Sequence, residues 1–255
     1  MAQLKAQYGI DAPGVIRRLI IIGIGLYVLG IFVLPRFDAG AWIIALDWAV
    51  LYTGIFLIIE ALLMIWYSKY GKLRHRDRML ALYSFTGHEN VLDVGAGRGL
   101  LAIGAAKNLT DGKVVALDIW RAQDLSENTK QALLSNVRLE GVADRVEVLE
   151  ADITKTDLPE NSFDVVFSNL CLHNITSQEG RWEACREITR LLKAGGVAIV
   201  SDFKYTATYH KYFVDLGCQV EKIGTYIFST FPALTVLKIT RSDRIKDTSI
   251  DDGQA

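Results

Sequence analysis

The sequence predicts an α/β fold, a largely parallel sheet covered by helices on both faces, preceded by an α-helical transmembrane hairpin. Three observations carry this reading. Two long apolar runs precede residue 68, short β-branched runs alternate with helical stretches from Asn90 onward, and the first of those strands ends in an acid followed by three alternate glycines. Strands alternating with helices are the pattern of parallel strands joined by crossovers.

The apolar runs come first along the chain. Residues 19–34 hold no charge and are bracketed by Arg17-Arg18 and Pro35-Arg36; residues 41–67 are broken only by Asp47 and Glu60. A membrane span needs about twenty apolar residues, so the first run is marginal and the second is long enough to cross with tilt. Together, with a short connection at 35–40, they read as a hairpin occupying residues 1–68. Both outer flanks are basic: Arg17 and Arg18 on one side, and Lys69, Lys72, Arg74, Arg76 and Arg78 in a juxtamembrane helix or linker at 69–89 on the other. The excess of cations puts both ends in the cytoplasm, and such a collar gains about 1 kcal/mol per residue from anionic headgroups. Two other readings stay open. The first run resembles a signal peptide with Ala39-Gly40-Ala41 as its cleavage site, and the helices also suit a monotopic platform lying in the membrane surface. Asp47 and Glu60 point to nearly opposite helix faces, about 220° apart, so they form no joint site; Arg36 is the natural partner for Asp47.

Composition narrows the function. Three cysteines, Cys171, Cys185 and Cys218, are an odd count without a close pair, which suggests neither a disulfide framework nor a metal site. A net charge of −1 with no basic stripe beyond the collar argues against nucleic acid as a partner. The polar tail at 242–255 reads as disordered.

Strands are expected at 91–94, 113–118, 145–150, 164–168 and 197–201, with helices at 100–108, 124–140 and 178–193. Two further strands, near 219–223 and 234–240, are joined by a loop too short for a crossover helix and so must be antiparallel. The chemistry concentrates at Asp93-Val94-Gly95-Ala96-Gly97-Arg98-Gly99. Alternate glycines let backbone approach a ligand, and the next helix aims its first amides at the same place. A dinucleotide fingerprint needs its third glycine at position 100, where Leu100 stands.

That spacing resembles the first motif of the class I S-adenosylmethionine (SAM)-dependent methyltransferases, and the resemblance runs over about residues 78–241. It is nearest to the enzymes of quinone and small-molecule metabolism. It implies SAM as cofactor and a Rossmann-like seven-stranded sheet with a reversed last strand, formed by residues 90–241. Within it Asp93, Gly95, Ala96, Gly97 and Gly99 form the cofactor turn. Asp118, ending Val114-Val115-Ala116-Leu117-Asp118, takes the ribose hydroxyls, and Ile119 and Trp120 cover the adenine. Asp152 and Ile153, in Glu150-Ala151-Asp152-Ile153, read the adenine edge, and Asn169 ends the fourth strand at the methyl-bearing rim. The family usually carries proline where Ala194 stands, which touches turn rigidity and not chemistry.

On the acceptor side the polar candidates are Asn169, His173 and Asp202, followed by Asn174, Tyr205 and Tyr209. His173 suits a general base because its ordinary pKa lies near working pH, although a helix cap or packing against the cofactor is the more common reason for a histidine there. Cys171 reads as a small buried filler. No metal is implied. These features together predict a membrane-anchored methyltransferase acting on a lipophilic small molecule or lipid. A soluble metabolite as acceptor, a non-catalytic SAM-binding membrane protein and an NAD-dependent oxidoreductase are the competing readings.

Overall fold

The computed structural model describes residues 5–33, 41–121 and 123–242. Contact density divides the chain into two compact units. Among the described residues, one comprises 5–8, 73–120 and 129–242, and the other comprises 9–33, 41–72, 121 and 123–128.

The second unit holds the apolar runs as helices α1 (Pro13–Val28) and α2 (Ala41–Trp66), each continued by a π-helical turn, Leu29–Val33 and Tyr67–Gly71. Both are long and apolar enough to cross a membrane. Their packing depends on small residues. A Cβ on Gly23 would lie 2.9 Å from the Gly54 carbonyl oxygen, and one on Gly54 would lie 2.8 Å from the Gly23 oxygen. Close backbone approach of this kind is how helices associate where apolar burial gives no drive. The faces turned away are apolar and exposed, including Ile21, Phe32, Trp42, Tyr52, Phe56 and Leu62. The connection with Arg36, residues 39 and 40 of the cleavage motif, and the tail from 243 on lie outside the described residues.

Within this unit Lys72 is buried. Its Nζ donates to the Gly9 carbonyl at 2.6 Å and lies 3.4 Å from the Asp11 carboxylate. The expectation that Lys72 belongs to a headgroup-facing collar is therefore corrected, because a cation paired and buried this way has no free charge to offer lipid. Among its neighbours Arg76 pairs with Asp77 at 2.7 Å and Arg78 lies 4.0 Å over the Tyr226 ring. Lys69 and Arg74 keep an exposed position.

The first unit is a seven-stranded sheet. Its strands are β1 (Asn90–Val94), β2 (Lys113–Asp118), β3 (Val146–Glu150), β4 (Phe163–Asn169), β5 (Leu192–Asp202), β6 (Gln219–Tyr226) and β7 (Leu234–Thr240), in the order β3-β2-β1-β4-β5-β7-β6. All pairs are parallel except those made by β7, which runs against both β5 and β6. The seven strands and the reversed last one agree with expectation.

Alternation along β1 explains the layers, since successive side chains face opposite ways. Leu92 and Val94 join Val166, Ile188, Val200 and Phe213 under α6 (Gln178–Leu191) and α7 (Thr206–Asp215). Val91 joins Ile103, Val114, Leu133 and Phe167 on the other face, under α4 (Leu100–Ala106) and α5 (Lys130–Leu139). Met79 and Leu80 of α3 (Lys72–Leu80) belong to that second layer. Residues 73–80 are thus part of the sheet's cover and not a free linker.

One helix is shorter than the sequence suggests. A helix over 124–140 is replaced by α5 alone, because Thr129 caps it, accepting from the Ala132 amide at 3.1 Å, and Glu127 takes a left-handed φ of 51°. An extended Thr with its hydroxyl on the third following amide is a strong helix start.

Candidate active site

In an open parallel sheet, ligands bind beyond the carboxyl ends of the strands where strand order reverses. Here that point lies between β1 and β4. The carboxyl ends there carry Val94, Asp118, Asn169 and Asp202.

The glycine turn leaves β1 with Gly95, Gly97 and Gly99 all at positive φ, 76°, 53° and 85°. The amides of Gly95 and Ala96 are held by the Leu117 carbonyl at 2.8 and 3.1 Å. At Gly95 there is no room for a side chain, since a Cβ would lie 2.4 Å from Cys171 Sγ. Cys171 is thus a small filler packed on the turn.

Asp93 is buried and accepts the Ala102 amide at 2.7 Å, so it fastens the start of α4 below the turn. Burial pushes its carboxyl up to about 7 against the pull of that amide, and Asp118 adds to the rise. Asp118 holds the other side of the turn. One oxygen accepts the Gly97 amide at 2.7 Å and the other the Trp120 amide at 2.6 Å, while Trp120 Nε1 donates to the Gly97 carbonyl at 3.1 Å. Burial raises the Asp118 pKa and these amides lower it. An ionised carboxylate has about four acceptor positions, so capacity for ribose hydroxyls remains. Ile119, next to Asp118, is exposed.

The remaining predicted residues fall at the same edge or near it. Asp152 is exposed and caps its own turn, accepting from the amide and hydroxyl of Thr154, both at 2.9 Å. Ile153 beside it is buried. At the end of β4, Asn169 Oδ1 is buried without a hydrogen-bond partner, and so is Ser168 Oγ. A buried acceptor left unpaired costs free energy unless a ligand supplies the donor.

His173 and Asp202 meet. His173 sits on a 3-10 turn, Leu172–Asn174, and Asp202 ends β5. Nδ1 of His173 lies 2.9 Å from Asp202 Oδ1, close but without the alignment of a hydrogen bond. Asp202 is fully buried and accepts the His173 and Phe203 amides at 3.1 and 2.8 Å. The Phe203 ring stands edge-on to the imidazole at 4.6 Å.

Two residues near this edge were not predicted. His75 of α3 is buried with Nε2 2.7 Å from Ser201 Oγ, next to Asp202. Asn136 of α5 is buried and donates to the Arg98 carbonyl, inside the glycine turn, at 2.9 Å. A signal for Asn136 did exist, because it is a polar residue three places after Leu133 and beside Val137, both buried on the apolar stripe.

A sheet of this order, with the acid-ended first strand, the glycine turn and a second acid after β2, is similar to that of the class I SAM-dependent methyltransferases, and residues 92–200 match the family model described as a methyltransferase domain. Among curated proteins, the ubiquinone/menaquinone biosynthesis C-methyltransferase UbiE of Pseudomonas fluorescens (strain SBW25) is 35% identical over 116 residues, covering 44% of this chain and 41% of that protein. The chain thus spans about two-fifths of the length of this relative. Among solved structures, a SAM-dependent methyltransferase from Aquifex aeolicus superposes with a TM-score of 0.53 at 20% identity, over 65% of this chain and 89% of that one. The [4+2]-cyclase SpnF superposes with a TM-score of 0.57 at 15% identity, over 67% and 81%. At such identities the likeness shows the fold alone.

The residues present fit SAM, the cofactor of the methyltransferases the chain resembles. The turn's three glycines all hold positive φ, and beside it Asn169 Oδ1 is a buried acceptor without a hydrogen-bond partner in the protein.

Proposed function

We propose that the chain is a membrane-anchored SAM-dependent methyltransferase that methylates a lipophilic small molecule or lipid, with both ends of its hairpin and its catalytic domain in the cytoplasm. The observation that carries this reading is the joining, in one chain, of a SAM-type carboxyl edge to two helices long and apolar enough to cross a bilayer. The name of the Pseudomonas relative, from quinone biosynthesis, supports the same acceptor class.

When bound, SAM supplies an electrophilic methyl group on a sulfonium, open to in-line displacement. This chain's own groups then have three tasks. Gly95, Ala96, Gly97 and Gly99 with Asp93 hold the turn against the cofactor, Asp118 takes the ribose, and Ile119, Trp120, Asp152 and Ile153 enclose the adenine. His173 removes the acceptor's proton, and Asp202 orients the ring and stabilises the imidazolium that forms. Asn169 accepts a hydrogen bond from a ligand N–H or O–H. Phe203, 37% exposed, and Tyr205, 44% exposed, give the acceptor side an apolar and aromatic wall, which favours a dry site for displacement.

Membranes carrying the chain, incubated with methyl-labelled SAM and a lipid extract, test the proposal. Label entering solvent-extractable products supports it; label confined to water-soluble products overturns the lipophilic acceptor.

A further inference from the structure

The segment ahead of the first apolar helix does not trail free of the catalytic unit. Gln7 donates its backbone amide to Asn136 Oδ1 at 3.0 Å and accepts at its carbonyl from Asn136 Nδ2 at 2.9 Å. The same Nδ2 donates to the Arg98 carbonyl at 2.9 Å. One amide side chain therefore pairs both backbone groups of Gln7, as a neighbouring β-strand would, and with its second N–H grips the residue between Gly97 and Gly99. Both sides of the Asn136 amide are used, which fixes its rotamer, and it is only 3% exposed.

A second contact seats the arm. The Tyr8 hydroxyl donates to Glu140 Oε1 at 3.0 Å, and Lys107 holds Oε2 of the same carboxylate at 2.5 Å. Burial and the adjacent Glu140 charge raise the Tyr8 pKa, so the phenol stays a donor throughout the working range.

We propose that this arm, residues 5–8, is part of the SAM-binding machinery. Through Asn136 it fixes the Arg98 carbonyl and so holds the turn formed by residues 95–99 in its ligand-ready shape. Asp118 and Trp120 fasten that turn at Gly97 from one side, and Gln7 and Asn136 fasten it at Arg98 from the other. A loop whose glycines all sit at positive φ has much conformational freedom to lose on binding, and a clasp that removes it beforehand raises affinity. Gln7 and Asn136 are positioning residues in this scheme, acting through backbone.

The inference rests on the SAM reading, and titration of the full chain in nanodiscs with S-adenosylhomocysteine separates the two. If the wild-type chain does not bind, the SAM reading falls and the arm's role with it. If it binds, Gln7→Pro, which deletes one backbone donor and leaves Asn136 on Arg98, weakens binding about fivefold, and Asn136→Ala weakens it about tenfold or more, the size of one or two lost hydrogen bonds. The double variant is no weaker than Asn136→Ala alone, because both act through one link. Tyr8→Phe, which loosens the arm without touching the turn, changes affinity less than twofold. Hydrogen exchange of the ligand-free chain gives a second readout: the amides of Gly97 and Gly99 exchange faster in Gln7→Pro while those of β4 do not. Unchanged affinity and exchange in Gln7→Pro overturn the proposal, whether or not Asn136→Ala folds.

Discussion

Replacing Gly95 by alanine puts the glycine turn to its sharpest test. Two costs apply. At φ 76° a residue with a Cβ occupies the left-handed region, worth about 1–3 kcal/mol. The new Cβ also lies 2.4 Å from Cys171 Sγ and 2.5 Å from Cys171 Cβ, and overpacking of that kind adds about 1–3 kcal/mol. The sum, about 2–6 kcal/mol, is a large part of the stability of an ordinary domain. The two parts separate experimentally. Cys171→Gly in the same chain removes both clashing atoms and leaves only Cα at 3.7 Å, an ordinary contact, so the double variant recovers the packing share and keeps the backbone share. Gly141→Ala is the control, having φ 70° and nothing within 4 Å of its Cβ, so it shows the backbone cost alone. Urea unfolding in detergent, with S-adenosylhomocysteine affinity measured beside it, reads all four chains. The reasoning is refuted if Gly95→Ala matches Gly141→Ala in stability, or if Cys171→Gly restores nothing.

Three further outcomes are expected. Asp93 has a folded pKa of about 7 against an ordinary value of 3.8, so folding takes up a proton between those values; stability is fully present below about pH 4, falls as pH rises to about 7 by on the order of 4 kcal/mol, and then levels. Asp93→Asn stays neutral and keeps an acceptor for the Ala102 amide, so its melting temperature loses that slope; an unchanged slope between pH 4.5 and 8 contradicts the assignment. His173→Ala lowers turnover of labelled SAM with the lipid extract by about 10²–10⁴ while S-adenosylhomocysteine affinity stays within twofold, and a full-rate variant removes His173 from the mechanism. In the hairpin, Gly54→Leu separates two helices in backbone contact and lowers the detergent melting point, whereas Gly25→Leu, with nothing within 4 Å of its Cβ, leaves it unchanged; equal behaviour of the pair refutes the packing argument.

What was readable from the sequence follows from the range of each interaction. Strands β2 and β7 have the predicted ends because alternation and flanking polar residues are local signals. The start of α5 was misplaced because Asp124, Ser126 and Glu127 tolerate a helix, and only the left-handed Glu127 and the Thr129 cap show that the chain turns there first. Lys72 looked like a lipid-facing cation because charge is visible in a sequence and its partner Asp11, sixty-one residues away, is not. The same limit hid the arm: Gln7 and Asn136 are separated by 129 positions, and the contact uses the Gln7 backbone, which leaves no mark on residue type. The turn after β1 was readable because its geometry needs particular residues, glycines at positive φ. The meeting of His173 with Asp202 joins the ends of β4 and β5, neighbours in the sheet, and so followed from topology once the strands were known. A deletion of the hairpin at residue 67 would also remove the arm, so it mixes loss of anchoring with loss of the Gln7 clasp.

The central claim is that the turn formed by residues 95–99 and Asp118 hold SAM. Calorimetric titration of the full chain in nanodiscs with S-adenosylhomocysteine and, separately, with NAD tests it most directly. The account predicts one site for S-adenosylhomocysteine, weakened at least tenfold by Asp118→Ala, and no heat from NAD; binding of NAD in preference, or S-adenosylhomocysteine affinity indifferent to Asp118, contradicts it.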